Sequence, residues 1–206
     1  MSADTPFLFL RHGETDWNRE RRVQGQIDAP LNALGRAQAQ AAAAALADRP
    51  IARIVSSPSS RARDTAEAVA ARHGLPIAFD PELMEAHLGD HQGHLYTEAL
   101  SGFWTGDYDP PGGETFSEFT ERVWAAMTRA RALGADTLIV AHGGLWRAAR
   151  TRVRIEPAFS LPNAIPLAVT PAADIWRVET LLPLPPETIV SDAPAEDGSA
   201  SKGAET

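Results

Sequence analysis

The sequence predicts an α/β protein: a three-layer sandwich with a mostly parallel central sheet, one antiparallel strand pair, and helices on both faces. Three observations carry that prediction. Short apolar runs without alternation, FLFL (7–10), IARIV (51–55) and TLIVA (137–141), read as strands buried on both faces. Helical stretches with cap signals lie between them, as parallel crossovers require. The last two strand-like runs, near 165–170 and 174–182, are only a few residues apart, too few for a crossover, so that pair is expected to be antiparallel.

The elements follow in order. After the strand at 7–10, a polar, arginine-rich loop leads to Pro30. LNALGRAQAQAAAAALADR then reads as a helix, with Asn32 as N-cap and Pro50 enforcing the stop. The second strand, 51–57, runs into Ser57-Pro58, which reads as N-cap plus first-turn proline of a helix that closes at Gly74. A strand at Ile77–Phe79 precedes the loop PELMEAHLGDHQGHL, and the stretch 96–114 reads as one short helical turn followed by loop. Thr115 and Glu118 form a capping box for a long helix to Leu133, with Gly134 at its end. DTLIVAHGG (136–144) is a strand entering a His-Gly-Gly turn, followed by the helix LWRAARTRV.

With 206 residues, 44% of them hydrophobic, the chain suits one domain with a full core, placed at residues 1–182. Residues 183–206, rich in Pro, Ala, Ser and acid, read as a flexible tail. A net charge of −8 argues against nucleic acid or an anionic membrane as partner. Glu20 interrupts Arg19, Arg21 and Arg22, which read as a solvated rim. The absence of cysteine excludes disulfides, thiolate metal sites and a cysteine nucleophile. The start MSADTPFLFLRHG is no signal peptide, and no apolar run approaches the ~20 residues of a membrane span, so a cytoplasmic location is expected.

In an open α/β sheet the ligand crevice lies at the carboxyl ends of the strands. Those ends carry Arg11-His12, then Ser56-Ser57 with Arg61 following, then His142-Gly143, while Glu85 lies beyond the third strand. A strand-end histidine alone is ordinarily a core residue. Two of them, each followed by glycine and accompanied by two arginines, suit a phosphoryl group: guanidiniums fork onto its oxygens, and one imidazole attacks phosphorus. The free N–H groups after Pro58 would favour the same anion, and Gly13, Gly143 and Gly144 would let backbone and substrate come close. His87, His91 and His94 have helical ligand spacing, but Gly89 and Gly93 interrupt any helix, so a solvated loop is the reading and no metal is expected. Trp17, Phe103, Trp104 and Tyr108 read as packing, the last two where a lid would lie.

Over residues 6–180 the chain resembles the histidine phosphatase superfamily in its phosphoglycerate-mutase-like branch. Six segments carry the resemblance, in order: RHGETDWN (11–18), VQGQIDAPLNALGRAQA (23–39), SSPSSRARDTA (56–66), LMEAHLGDHQG (83–93), PPGGE (110–114) and VAHGGLWR (140–147). It implies His12 as the phosphorylated nucleophile, with Arg11, Arg61 and His142 around the phosphate. Asn18, Gln24, Gly25 and Gly143 are implied as further substrate contacts. Glu85 is implied as proton donor; from the residues alone Glu82 and Asp80 compete with it. The chain departs from the family pattern at Gly89-Asp-His91-Gln92-Gly93, where Gly-x-Trp-Glu-Gly is frequent, and at Ser59, where Leu is usual.

The expectation is a metal-independent phosphomonoester hydrolase without cofactor, acting on a small phosphorylated metabolite. A mutase needs a substantial lid to keep water from the phosphoenzyme, and only 26 residues separate Glu85 from Gly112. Phosphoglycerate mutase is the alternative, and a non-catalytic phospho-ligand binder a lesser one. A homodimer is left open.

Overall fold

The structure, a computed structural model, describes residues 5–186 and 190–191. Strands β1 (Phe7–Arg11), β2 (Arg53–Ser56), β3 (Ile77–Phe79), β4 (Thr137–Ala141), β5 (Arg154–Glu156), β7 (Pro166–Ala172) and β8 (Ile175–Thr180) form one sheet. Its order is β3-β2-β4-β1-β7-β8-β5. The expected hairpin of the last two strands is β7–β8, and β7 is antiparallel to β1 as well, so it alone runs against the rest of this sheet. A separate two-stranded ladder pairs β6 (Ala158–Phe159) with β9 (Val190–Ser191).

The unalternating strands do what their pattern requires: both faces are covered. A one-turn helix, α1 (Asp16–Arg19), sits within the stretch read as a loop to Pro30. Leu8 and Leu10 of β1 turn to one side, where α2 (Ala33–Ala45) and α3 (Ser60–His73) pack. Phe7 and Phe9 turn to the other, under α4 (Phe116–Arg131) and α5 (Gly143–Ala149). On that side Trp124 stacks on Trp176 with centroids 5.7 Å apart, and the Arg131 guanidinium lies 5.1 Å from the rings of both Phe7 and Trp176.

Helix boundaries obey their caps. Asn32 accepts from the Gly35 amide, and Thr115 and Glu118 form the reciprocal box that opens α4. Gly74 closes α3 at φ 64°. Four expectations are corrected. Helix α3 begins at Ser60 with Ser59 as N-cap, because the Ser57 and Ser59 hydroxyls are engaged with His142 instead of capping, and Asp28 takes the Ser60 amide at 2.8 Å. Pro58 therefore lies outside the helix. Helix α2 stops at Ala45, where turn bonds such as Arg49 N–H to Leu46 O take over, and α4 stops at Arg131. Helix α5 starts directly at Gly143. The 96–114 stretch holds a 3-10 segment, Glu98–Thr105.

The sequence reading left out β5 and β6. Most of the tail placed beyond 182 lies outside the described residues; within it, Val190–Ser191 pairs with β6, and Leu184, like Leu182 before it, packs on the core.

The sheet positions the site through its ladder. Beyond the strand ends, His12 N–H donates to Ala141 O and Ser57 N–H to Val140 O, both at 3.0 Å, so the first residues after β1 and β2 stay anchored to β4.

Candidate active site

His12 leaves β1 with its ring almost wholly buried, 3% exposed. Its Nδ1 lies 2.7 Å from the Gly13 carbonyl oxygen. A carbonyl only accepts, so Nδ1 carries the hydrogen and Nε2 keeps its lone pair. Burial, then the nearby Arg61 and Arg11 charges, hold the imidazole pKa well below the usual histidine value. The ring is neutral at pH 7 and free at Nε2.

His142, the N-cap of α5, is fully buried with its ring centroid 5.2 Å from that of His12. Burial, with Arg61 next, likewise lowers its pKa strongly. Its Nε2 meets Ser57 Oγ at 2.8 Å and Ser59 Oγ at 3.1 Å, and the two hydroxyls are 2.9 Å apart. In the tautomer in which these hydroxyls donate to Nε2, the neutral ring's own hydrogen sits on Nδ1, a buried atom with no partner among the described residues.

The guanidiniums are held by neutral acceptors. Arg61, 1% exposed, donates to Gly25 O at 2.8 Å and Ile27 O at 3.0 Å; Arg11 donates to Leu161 O at 2.6 Å. Their buried Nε atoms have no hydrogen-bond partner among the described residues. Burial lowers Arg61 to about 10, with Glu85 and Asp28 acting against the shift, so it remains a cation at neutral pH. Arg11 is also lowered by burial, and again Glu85 opposes the shift.

Glu85, half-buried, accepts from Gly144 N–H in the first turn of α5 and from Ala86 N–H, each at 3.0 Å. A Cβ on Gly144 would overlap this carboxylate, so only glycine lets α5 come this close. Behind Glu85, Arg122 forks onto Glu114 at 2.6 and 3.1 Å and donates to the carbonyls of Glu82, Met84 and Glu85. The result is a neutral nucleophile, a ring N–H, two cations and a carboxylate around one point: equipment for moving a phosphoryl group.

The model of the histidine phosphatase superfamily (branch 1) matches residues 7–170. The chain belongs to that superfamily. The glucosyl-3-phosphoglycerate phosphatase of Mycolicibacterium vanbaalenii is 42% identical over 155 residues, covering 67% of this chain and 69% of that protein. The metal-independent phosphoserine phosphatase of Arabidopsis thaliana is 37% identical over 179 residues, covering 79% and 75%. The native structure of the mycobacterial glucosyl-3-phosphoglycerate phosphatase superposes with a TM-score of 0.72 at 31% identity, covering 85% of this chain and 97% of that one. Proteins named as probable phosphoglycerate mutases match too.

As a histidine phosphatase superfamily member, the chain brings Arg11, His12, Arg61, Glu85 and His142 together. The other expected contacts differ in kind. Asn18 Oδ1 is taken up by Thr15 and Asn163, leaving its Nδ2 without a protein partner among the described residues. Gln24 Oε1 accepts from the Thr15 hydroxyl at 3.0 Å, and Gly25 contributes its carbonyl to Arg61. Gly143 sits where a Cβ would meet the Arg11 guanidinium at 3.4 Å. The substrate-approach roles read for Gly13 and Gly144 are corrected: Gly13 faces the Gly35 backbone, and Gly144 faces Glu85. The N–H of Ser60, expected to greet an anion, is taken by Asp28.

Of the two departures from the family pattern, Ser59 meets His142 as described, and the 89–93 segment finds its own neighbours. Gln92 Oε1 accepts from Gln26 N–H at 2.7 Å, while Gln26 Nε2 donates to Glu85 O at 3.2 Å. His91 pairs with Tyr108 at 2.7 Å. Residues the sequence reading missed include Asn163, which donates to His12 O at 2.9 Å from 151 positions away, and the Arg122–Glu114 clamp. Glu114 stood in a recognised segment, which was its one signal.

Proposed function

We propose that this chain hydrolyses a small phosphomonoester through a phosphohistidine, acting in the cytoplasm. His12 Nε2 attacks phosphorus in line; the P–N bond forms as the ester P–O bond breaks, and Glu85 gives its proton to the departing alkoxide. Arg11, Arg61 and the Nδ1–H of His142 meet the charge on the equatorial oxygens. Water then attacks the phosphohistidine, Glu85 takes its proton, and inorganic phosphate leaves with His12 restored. The observation that carries this reading is the tautomer of His12: a buried, neutral ring tied at Nδ1 to Gly13 O has Nε2 as its only nucleophilic atom.

The relatives named as phosphatases support hydrolysis, and those named as mutases keep isomerisation as the second reading. The short span between Glu85 and Gly112 favours hydrolysis, since it offers little to shut out water. The test is mutational. His12→Ala is expected to abolish phosphate release and acid-labile phosphate labelling, and wild-type turnover is expected to retain configuration at phosphorus. Near-normal activity in His12→Ala would overturn the reading; rapid interconversion of 3- and 2-phosphoglycerate with negligible phosphate release would reverse the ranking.

A further inference from the structure

The tautomer of His12 rests on one acceptor, the Gly13 carbonyl, 2.7 Å from Nδ1. Gly13 has already left β1 and belongs to no strand ladder, so something else must aim that oxygen. Two successive peptide units set its direction, His12–Gly13 and Gly13–Glu14, and side chains that no step above uses fix both. The His12 carbonyl accepts from Asn163 Nδ2 at 2.9 Å, and the Gly13 N–H donates to Thr65 Oγ1 at 3.0 Å. A trans peptide points its C=O and N–H in opposite directions, so Asn163 and Thr65 grip the first unit from opposite sides. In the second unit the Gly13 oxygen faces the imidazole, and the Glu14 N–H opposite it donates to Gln38 Oε1 at 2.8 Å.

The three partners are themselves fixed. Thr65, wholly buried on α3, gives its hydrogen to Arg61 O at 2.7 Å, which leaves an oxygen lone pair for the Gly13 N–H. Asn163 precedes Ala164, whose buried backbone sits at φ 51°, a left-handed conformation that an L residue adopts only where its surroundings dictate it. Ala164 N–H donates to Arg11 O at 3.1 Å, and Leu161 O accepts from the Arg11 guanidinium. The segment 161–164 therefore grips Arg11 and His12 in succession. Gln38 reaches in from α2, which lies so close that a Cβ on Gly13 would fall 2.3 Å from the Gly35 oxygen. Neither peptide unit is left with a free polar group.

We infer that Thr65, Gln38 and Asn163 are positioning residues for the nucleophile: by orienting the two peptides after His12 they keep the Gly13 oxygen on Nδ1, and so keep Nε2 free of hydrogen. All three act on His12 through backbone bonds. The inference rests on the phosphohistidine reading and adds to it what fixes the attacking atom. A neutral imidazole carries its hydrogen on either nitrogen. With the carbonyl turned away, the hydrogen sits on Nε2 in part of the population, and that fraction has no lone pair to offer phosphorus. Thr65 has a second consequence. Its hydroxyl joins the Arg61 backbone to the Gly13 amide, so nucleophile and phosphate-binding cation share one anchor.

Two readouts taken together test it. Nitrogen NMR shifts of the His12 ring near neutral pH, assigned by their loss in His12→Ala, report the tautomer; phosphate release from p-nitrophenyl phosphate gives kcat and KM. The wild type is expected to show the Nδ1–H tautomer alone. Gln38→Leu and Thr65→Val each remove an acceptor at nearly constant shape. Each is expected to bring in Nε2–H signal and to lower kcat about ten- to a hundredfold, the range of a lost buried hydrogen bond, with KM little changed. Thr65→Ser and Gln38→Glu keep the accepting oxygen and are expected to restore the tautomer and most of the rate. Gln38 is only half-buried on α2, so its variant carries the test should Thr65→Val not fold. A Gln38→Leu enzyme with unchanged kcat, or with reduced kcat over an intact single tautomer, would sink the inference and leave the phosphohistidine reading standing. A wild type that carries its His12 hydrogen on Nε2, or full activity in His12→Ala, falls on that reading itself and takes this inference with it.

Discussion

Arg122→Met tests whether the acid loop is held by one guanidinium. In the structure the backbone carbonyls of Glu82, Met84 and Glu85, leading into the acid loop, converge on Arg122. Its charge is met by Glu114, and the two side chains are only 17% and 15% exposed. Removing one partner of a buried pair costs about 3–5 kcal/mol, because the other charge stays behind without its counter-ion. Glu114 here retains the His87 N–H at 2.7 Å and some solvent, which brings the cost below that range, to about 2–3 kcal/mol. For a domain of this size that lowers Tm by about 5–10 °C. Urea and thermal denaturation of wild type and variant measure it directly. The double variant Arg122→Met/Glu114→Gln should recover part of the loss, since the stranded charge is gone. Activity should separate as well: alkyl phosphates, which need Glu85 in place, should suffer more than aryl phosphates with good leaving groups. A single variant within about 0.5 kcal/mol of wild type would refute the clamp.

Three further outcomes are expected. Gly144→Ala places a methyl in the Glu85 carboxylate without backbone penalty, since the position is helical, and should lower kcat on alkyl phosphates by about a hundredfold or more while largely sparing p-nitrophenyl phosphate; equal losses on both would contradict the assignment of Glu85 as proton donor. Ser57→Ala removes the 2.8 Å hydroxyl from His142 Nε2 and should lower kcat about tenfold, with a change in the His142 ring nitrogen shifts in the NMR spectrum that a purely structural serine would not produce. The buried histidines also set a pH dependence of stability. Burial and the nearby arginines hold the folded pKa values of His12 and His142 well below the ordinary histidine value of about 6.5, so below about pH 6.5 the unfolded chain takes up protons that the folded chain refuses, and stability falls as pH falls. The slope from the pair approaches about 2.7 kcal/mol per pH unit, is absent above pH ~7, and should vanish from urea titrations of the His12→Ala/His142→Ala variant; persistence of the full slope there would count against buried neutral rings.

What the sequence disclosed and what it withheld divide along the range of the interactions. The strand at 7–10, the Asn32 cap and the Thr115–Glu118 box were legible because each signal acts within a few residues. Ser57-Pro58 misled for the same reason: the dipeptide is a good local helix start, yet both nearby serines are recruited by His142, more than 80 residues away. Strand β5 escaped because Arg154–Glu156 has one buried apolar residue and is paired only with β8. The first shell around His12 could be inferred from strand ends and resemblance. The shell behind it, Asn163 on the His12 carbonyl and Arg122 under Glu85, could not, since loops and a distant helix face deliver those groups with no local pattern.

The choice of acceptors around Arg11 and Arg61 explains how one site keeps its nucleophile neutral and its cations available. Had carboxylates filled those places, the guanidiniums would be cheaper to bury, but their charge would already be met, and the imidazole pKa would rise toward its usual value. The carbonyls of Gly25, Ile27 and Leu161 satisfy N–H groups without cancelling charge. The two fixed positive charges then act on His12 in the same direction as burial, against protonation. Glu85, whose charge acts on both arginines, hangs from the amides of Ala86 and Gly144 instead of hydrogen-bonding either of them. A phosphoryl dianion entering such a frame would meet guanidinium charge that no hydrogen-bonded carboxylate neutralises.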